Sequence, residues 1–362
     1  DAGHIKVFGG GGGTITPQEI QSLMDYGVER IYHPHDGMEL GLEAMIEDLV
    51  NRTATGRRSS GPPSSVDSER TTDIAATISA IEEGVFGDAE LAAKRKEWQV
   101  QAGQVPVIGI TGTGGAGKSS VTDEILNRFL ACFPDKRIAV LAVDPTRRRT
   151  GGALLGDRIR MNSLRSQRVY MRSIATRRQH LATSEMLSDH ILFLKSWGFD
   201  LVIVETAGIG QSDSEIVDMV DFSVYVMTSE YGAASQLEKI DMLDFADVVA
   251  INKFDRRGAD DALRDVRKQV QRNHEDFSKA PEAFPVYGTI ASRFNDDGVS
   301  ALYHGIRQAL SERGFLKGEG GALLKVPGKV STNASVIVPA DRRRYLAEIS
   351  ETVRGYHAHA EA

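Results

Sequence analysis

The chain has 362 residues, 41% of them hydrophobic, enough to bury the cores of two domains. Its formal net charge of -7 argues against a general nucleic-acid binder, whose surface carries a basic excess, and no apolar run of about 18 residues offers a membrane-spanning helix. A single cysteine, Cys132, excludes an intramolecular disulfide and any multi-cysteine metal site; with no secretory signal, it points to a reducing cytoplasm.

The segment HIKVF reads as a strand running into the glycines Gly9 to Gly13, followed by a helix over Pro17 to Tyr26, a strand over Arg30 to Tyr32 and a helix over Leu40 to Val50. Two β/α units cannot cover both faces of a parallel sheet, so residues 1–50 are expected to be the C-terminal part of a larger domain. Gly9, Gly10, Gly11 and Gly12 suit either close approach of a ligand to the backbone or a flexible turn; composition alone does not choose. Residues 51–70, rich in Ser, Gly, Pro and Arg, read as a linker, and residues 71–104 as two lead-in helices, Thr72 to Glu83 and Asp88 to Gln101, packed on the outer face of the nucleotide domain after them.

From residue 105 to 312 short apolar strands alternate with helices. The strands are Val107 to Thr111, Arg137 to Val143, Val169 to Ser173, Leu201 to Glu205, Ser223 to Met227, Asp247 to Ile251 and Phe284 to Gly288. Helices are expected over Val121 to Leu130, Leu181 to Trp197, Ser214 to Val220, Gln236 to Phe245 and Asp260 to His274. That alternation predicts an α/β fold with a mostly parallel sheet, whose ligands lie at the carboxyl ends of the strands. Residues 313–362, with a helix over Asp341 to His357, read as a connector.

The chemistry falls on those carboxyl ends. Gly112, Thr113, Gly114, Gly115, Ala116, Gly117, Lys118 and Ser119, followed by Ser120, form a P-loop between a strand and a helix. Its glycines let backbone N–H groups face a phosphate, Lys118 reaches the β and γ phosphates as the catalytic cation, and the Ser119 hydroxyl ligates magnesium. Asn252-Lys253-Phe254-Asp255 fits a guanine-selecting turn. Asp255 accepts from the ring N–H and exocyclic amine of guanine, a donor pair that adenine lacks; Asn252 braces the loop and the Lys253 stem lies along the ring. Glu205 ends its strand where a carboxylate holds magnesium directly or through water, and Gly208 comes next as a γ-phosphate contact. Asp144 and Asp157 are further candidates for magnesium or water positioning, and magnesium takes too few carboxylates for all three acids to ligate directly. Gln211 is a candidate to orient the attacking water. The run Arg147, Arg148, Arg149 sits where a switch is expected, and is either a solvated face or a source of transition-state charge neutralisation.

Together GITGTGGAGKSS, AVDPTRRRTGGALLGDRIRM, VIVETAGIGQSDSEI and INKFD resemble the metallochaperone-type G proteins that serve cobalamin-dependent acyl-CoA mutases, over roughly Val105 to Leu310. HIKVFGGGGGTITPQEI and the stretch after it are similar to the end of a flavodoxin-like cobalamin-binding domain, and VPADRRRYLAEISETVRGYH resembles a linker toward a mutase barrel, the arrangement of the fused isobutyryl-CoA mutase family. The resemblance implies GTP/GDP and magnesium as ligands. For a longer parent protein it implies adenosylcobalamin, interconversion of isobutyryl-CoA and butyryl-CoA, an acyl-CoA mutase domain as partner and a homodimer, with neither nucleic acid nor membrane involved. It also implies a third switch over about Ser229 to Asp241, with Gln236, Glu238 and Lys239 as relay residues. The cobalt-ligating DxHxxG motif is absent, since His4, His33 and His35 lack its spacing, so this chain is expected to bind adenosylcobalamin weakly or not at all; without a substrate-binding barrel it is expected not to catalyse the rearrangement alone. Thr113, where related ATPases carry lysine, favours a GTPase. Two alternatives are a GTP-dependent binding switch with negligible turnover and a metal-insertion GTPase of the hydrogenase or urease type; the lone cysteine and lack of a histidine cluster argue against the second.

Overall fold

Seven parallel strands form the central sheet in a computed structural model that describes residues 5–10, 15–54, 71–145, 161–176, 180–206, 215–232, 237–238, 240–316, 321, 323, 326–332 and 345–361. The chain divides into two units, Asp1–Asp67 and Ser68–Ala362.

The first unit contains β1 (Phe8–Gly10), α1 (Pro17–Asp25), β2 (Arg30–Tyr32), α2 (Pro34–Glu39) and α3 (Gly41–Ala54), with β1 and β2 paired in parallel. Thr16 starts α1 with a capping box to Glu19. The strand expected at HIKVF begins only at Phe8 and runs into the glycines. The helix expected over Leu40 to Val50 is present as α3, and a short helix that the sequence reading did not include, α2, precedes it, the two separated at Leu40 and Gly41, where Gly41 takes a φ of +75°. His33 caps α2: its Nδ1 accepts from the His35 backbone N–H at 3.2 Å, so the His33 ring serves the backbone.

The second unit opens with α4 (Thr71–Glu82) and α5 (Asp88–Gln101) and continues through β3 (Val107–Gly112), α6 (Lys118–Cys132), β4 (Ile138–Pro145), β5 (Val169–Thr176), α7 (His180–Ser196), β6 (Leu201–Thr206), β7 (Phe222–Thr228), α8 (Met242–Phe245), β8 (Val248–Asn252), α9 (Ala259–Asn273), β9 (Val286–Thr289), α10 (Asp297–Glu312) and α11 (Tyr345–Glu361). Strand order is β5-β4-β6-β3-β7-β8-β9. Because side chains alternate across a strand, Ile108 and Ile110 of β3 face α6 and α10 with Phe129 and Leu302, whereas Val107 joins the layer containing Ile78, Trp98 and Ile191. A third cluster packs α8 and α9 on β7 to β9 through Leu243, Val266 and Ile251. Burial on both faces explains the unbroken apolar strand sequences.

Two predicted helices are shorter than expected. Ser214 to Val220 becomes a 3₁₀ turn, Glu215–Met219, drawn in so that Ile216 and Val220 press on Gly109 of β3, where an added Cβ would meet both at 3.1 Å. Of Gln236 to Phe245, Leu237 and Met242–Phe245 are helical among the described residues, interrupted by turns at Glu238 and Asp241. The lead-in helices lie on the sheet unit: Arg95 of α5 makes a two-pronged ion pair with Asp189 of α7 at 2.6 and 2.7 Å, and Arg172 of β5 pairs with Glu82 of α4 at 2.8 Å. No described helix is long and apolar enough to cross a membrane.

Candidate nucleotide site

The chain leaves β3 at Gly112 and re-enters a helix at Lys118. Gly112 adopts φ +148°, and a Cβ there would lie 1.8 Å from the Val226 carbonyl oxygen; Gly117 adopts φ +88° and a Cβ would lie 2.6 Å from Asn252 Nδ2. Both positions therefore require glycine. Between them Thr113 N–H donates to the Val226 carbonyl of β7 at 3.1 Å, and Ala116 N–H donates to the Thr113 carbonyl within the loop at 3.2 Å. Lys118, the first residue of α6, is buried, and its ammonium donates to the Gly112 and Thr113 carbonyls at 3.1 Å each, which curls the loop around the N-terminus of the helix. The backbone N–H groups and positive dipole end at the start of α6 suit an anion.

Glu205, at the end of β6 and paired in register with Ile110, is buried under this loop. Its carboxylate accepts from Ser119 Oγ at 2.6 Å and from Thr122 Oγ1 at 2.9 Å. That arrangement fits magnesium: the Ser119 proton is committed to Glu205, so the hydroxyl lone pairs are available to a cation and the carboxylate orients the ligand from behind. Asp144 lies near the end of β4, one register position beyond the last β4 to β6 pair, Val143 with Thr206. Asp157, Arg147, Arg148, Arg149, Gly208, Gln211, Gln236 and Lys239 lie outside the described residues. Glu238 is exposed.

The guanine-type turn sits at the end of β8. Asn252 is buried, and its side chain is a three-way brace: Nδ2 donates to the Ala116 carbonyl at 2.8 Å, while Oδ1 accepts from Thr289 Oγ1 and from the Ala291 N–H at 3.1 Å each. Lys253 takes the left-handed φ of +56° and donates to the Gly115 carbonyl at 2.6 Å. Phe254 packs on Gly288, where a Cβ would sit 2.6 Å from its ring, and this contact leaves Asp255 exposed at the turn. Phosphate loop and base turn are thus joined directly by two side chains.

Three supporting residues escaped sequence reading. Thr289 and Ala291 at the end of β9 hold Asn252, and the available signal was an apolar strand ending on the same edge as the other motifs. Asp123, buried on α6, accepts from the Asn162 and Ser163 N–H groups at 2.9 and 2.8 Å, tying the helix of the phosphate loop to the segment before β5. Nothing in the sequence marks it. Nearby, burial pushes the Glu124 carboxyl up, against the Arg128 guanidinium 2.6 Å away.

The sequence matches the family described as methylmalonyl-CoA mutase-associated GTPase MeaB over residues 81–322. The chain belongs to that family. This MeaB-family chain is 55% identical over 358 residues to a fused isobutyryl-CoA mutase of Cupriavidus metallidurans and 49% identical over 372 residues to one of Geobacillus kaustophilus. These alignments cover 98% and 99% of the chain but 32% and 34% of the relatives, so the chain spans about a third of their length. Among solved structures, a LAO/AO transport system kinase aligns at 23% identity with a TM-score of 0.45, covering 69% of this chain and 80% of that one.

Gly9 and Gly10 are the described members of the glycine run; Gly11 and Gly12 lie outside the described residues. A Cβ at Gly10 meets nothing within 4 Å and one at Gly9 makes only ordinary contact with Ile31, so neither glycine is demanded by the neighbouring protein.

Proposed function

We propose that this MeaB-family GTPase is the nucleotide-hydrolysing chaperone module of a longer cobalamin-dependent acyl-CoA mutase, and that its GTP cycle gates loading and release of adenosylcobalamin in that parent. The observation that carries the nucleotide reading is the Asn252 brace, which couples a guanine-type turn to the phosphate loop through the Ala116 carbonyl at 2.8 Å. The mutase assignment is supported by the family match and by near full-length similarity of this chain to fused isobutyryl-CoA mutases. In the parent, the mutase domain is the partner, isobutyryl-CoA and butyryl-CoA are the acyl substrates, and the assembly is a homodimer.

In this reading, backbone N–H groups from Gly112 to Ser120 cradle the phosphates. Lys118 exchanges its loop carbonyls for β and γ oxygens, placing an ammonium where negative charge builds up during attack of water on the γ phosphate. Magnesium, when bound, would neutralise negative charge on the β and γ phosphates. Ser119 holds it, Glu205 orients Ser119, and Asp144 and Asp157 are the remaining candidates for its water shell. Gly208 contacts the γ phosphate, Gln211 orients water, and Arg147 to Arg149 with Gln236, Glu238 and Lys239 form the switches. Asp255 reads the guanine edge.

Calorimetry with magnesium tests the base assignment: GTP and GDP are expected to bind far more tightly than ATP and ADP, and equal affinities would overturn it. Single-turnover hydrolysis with and without the mutase domain tests turnover against a pure binding switch. Lys118→Ala is expected to abolish hydrolysis while leaving the far-UV spectrum intact; retained hydrolysis would remove the mechanism given to Lys118.

A further inference from the structure

Beyond the sheet, Val326–Thr332 runs back along β9 as a strap. It pairs in parallel with the sheet edge: Gly288 N–H donates to the Lys329 carbonyl and Ser331 N–H to the Gly288 carbonyl, each at 2.9 Å, around a bridge between Gly288 and Val330. Lys329 anchors the near end by donating to the carbonyls of Glu282, Ala283 and Phe284 at 3.0, 2.8 and 2.8 Å. The far end is held by two acids at the start of α10. Asp296 Oδ2 accepts from Ser331 Oγ at 2.7 Å, from Ile290 N–H at 3.1 Å and from Val299 N–H at 2.9 Å. Asp297 Oδ1 accepts from Thr332 N–H at 2.9 Å and its Oδ2 from the Thr332 hydroxyl. The packing leaves no slack, because a Cβ at Gly298 would lie 2.1 Å from the Gly288 carbonyl oxygen and 2.3 Å from Ser331 Oγ.

Ile290 lies between Thr289 and Ala291, the two residues that hold Asn252. One carboxylate oxygen of Asp296 therefore joins the strap to the turn that supports the base site, and the turn is joined through Asn252 to the phosphate loop at Ala116. Asn252, Thr289 and Asp296 are all at most 3% exposed, so water does not compete for these bonds. Asp296 Oδ1 has no hydrogen-bond partner among the described residues, which makes each donor to Oδ2 costly to lose. Arg128 of α6 closes the network from the other side, donating to the Asp296 carbonyl at 2.8 Å and to Ser300 Oγ at 3.1 Å.

We propose that the strap Val326–Thr332 is a working part of the guanine site, with Asp296 as the positioning residue that joins them, so that strap attachment and guanine-nucleotide affinity rise and fall together. This rests on the guanine reading above. Residues 313–362 thereby gain a specific role, in which a domain or partner engaging the chain beyond Thr332 acts on nucleotide affinity by loading or releasing the strap. By reciprocity, nucleotide tightens the strap.

The test uses the full chain with magnesium. In Ser331→Ala/Thr332→Val, GDP affinity measured by calorimetry well below the melting temperature is expected to fall about five-fold or more, the lower end of ordinary coupling between sites. A purely structural role would lower the melting temperature and leave the affinity of the folded protein unchanged; unchanged affinity overturns the proposal. In the unaltered chain, saturating GDP is expected to slow hydrogen exchange of the Ser331 and Thr332 amides, and exchange indifferent to GDP would likewise overturn it. An ADP titration of the unaltered chain keeps the two readings apart. ADP binding as tightly as GDP sinks the guanine assignment, whereas a preference for GDP together with strap-independent affinity sinks this one.

Discussion

Asn252 and Asp255 stand three positions apart in one motif, yet their surroundings assign them different work. Asn252 is buried and spends its amide on Ala116, Thr289 and Ala291; Asp255 is exposed. Asn252→Ala leaves buried donors and acceptors without partners and is expected to destabilise the Ser68–Ala362 unit by about 2–3 kcal/mol in urea titrations, weakening all nucleotides together. Asp255→Ala is expected to change stability by less than about 0.5 kcal/mol, as exposed substitutions do, while erasing the preference for GTP over ATP. Equal stability losses in the two variants would show that the brace is not carried by Asn252. The motif itself distinguishes Asn252 as the brace from Asp255 as the base reader, but a four-letter pattern records neither the partners that Asn252 reaches nor the solvent each residue meets.

The helix α4 is held to α7 and β5 by apolar packing of Ile74 and Ile78 and by the Arg172 to Glu82 pair, with His190 of α7 buried in the same layer. Burial pushes the His190 imidazole down to about 4, partly offset by the Glu82 carboxylate and the Ile78 backbone, while Arg172 and Asp189 act on it in opposite directions. With the folded value below the ordinary 6.5, the unfolded chain takes up the proton first. The stabilisation from neutral His190 is therefore complete above about pH 6.5 and is lost as pH falls from there toward about 4, by up to about 3 kcal/mol. The urea midpoint of the Ser68–Ala362 unit should fall across that window, and His190→Leu should flatten the fall. Identical pH profiles for the two proteins would remove His190 as the cause. The helical period of α4 and α5 was legible in sequence, whereas their ion-pair partners, Asp189 and Arg172, lie about 90 residues away and carry no local mark.

Both tryptophans, Trp98 and Trp197, belong to the Ser68–Ala362 unit, so tryptophan fluorescence reports this unit while far-UV circular dichroism reports both. GDP with magnesium at one hundred times its dissociation constant should stabilise the nucleotide unit by about 2.7 kcal/mol and raise its fluorescence-detected melting by several degrees. The Asp1–Asp67 unit, which holds none of the nucleotide residues, should show no such shift in circular dichroism. A nucleotide-induced shift shared equally by both would contradict the division into two units. The α/β class, the seven strands and the phosphate and base motifs are readable along the chain, because strand periodicity, glycine φ and side-chain chemistry are local properties. Folding in three dimensions was needed to reveal that Glu205 bonds Ser119, that Asn252 joins the base turn to the phosphate loop, and that Asp296 ties the strap to both. Those contacts span 35 to 136 residues, and strand order together with burial, neither of which a local pattern encodes, sets which strand ends become neighbours.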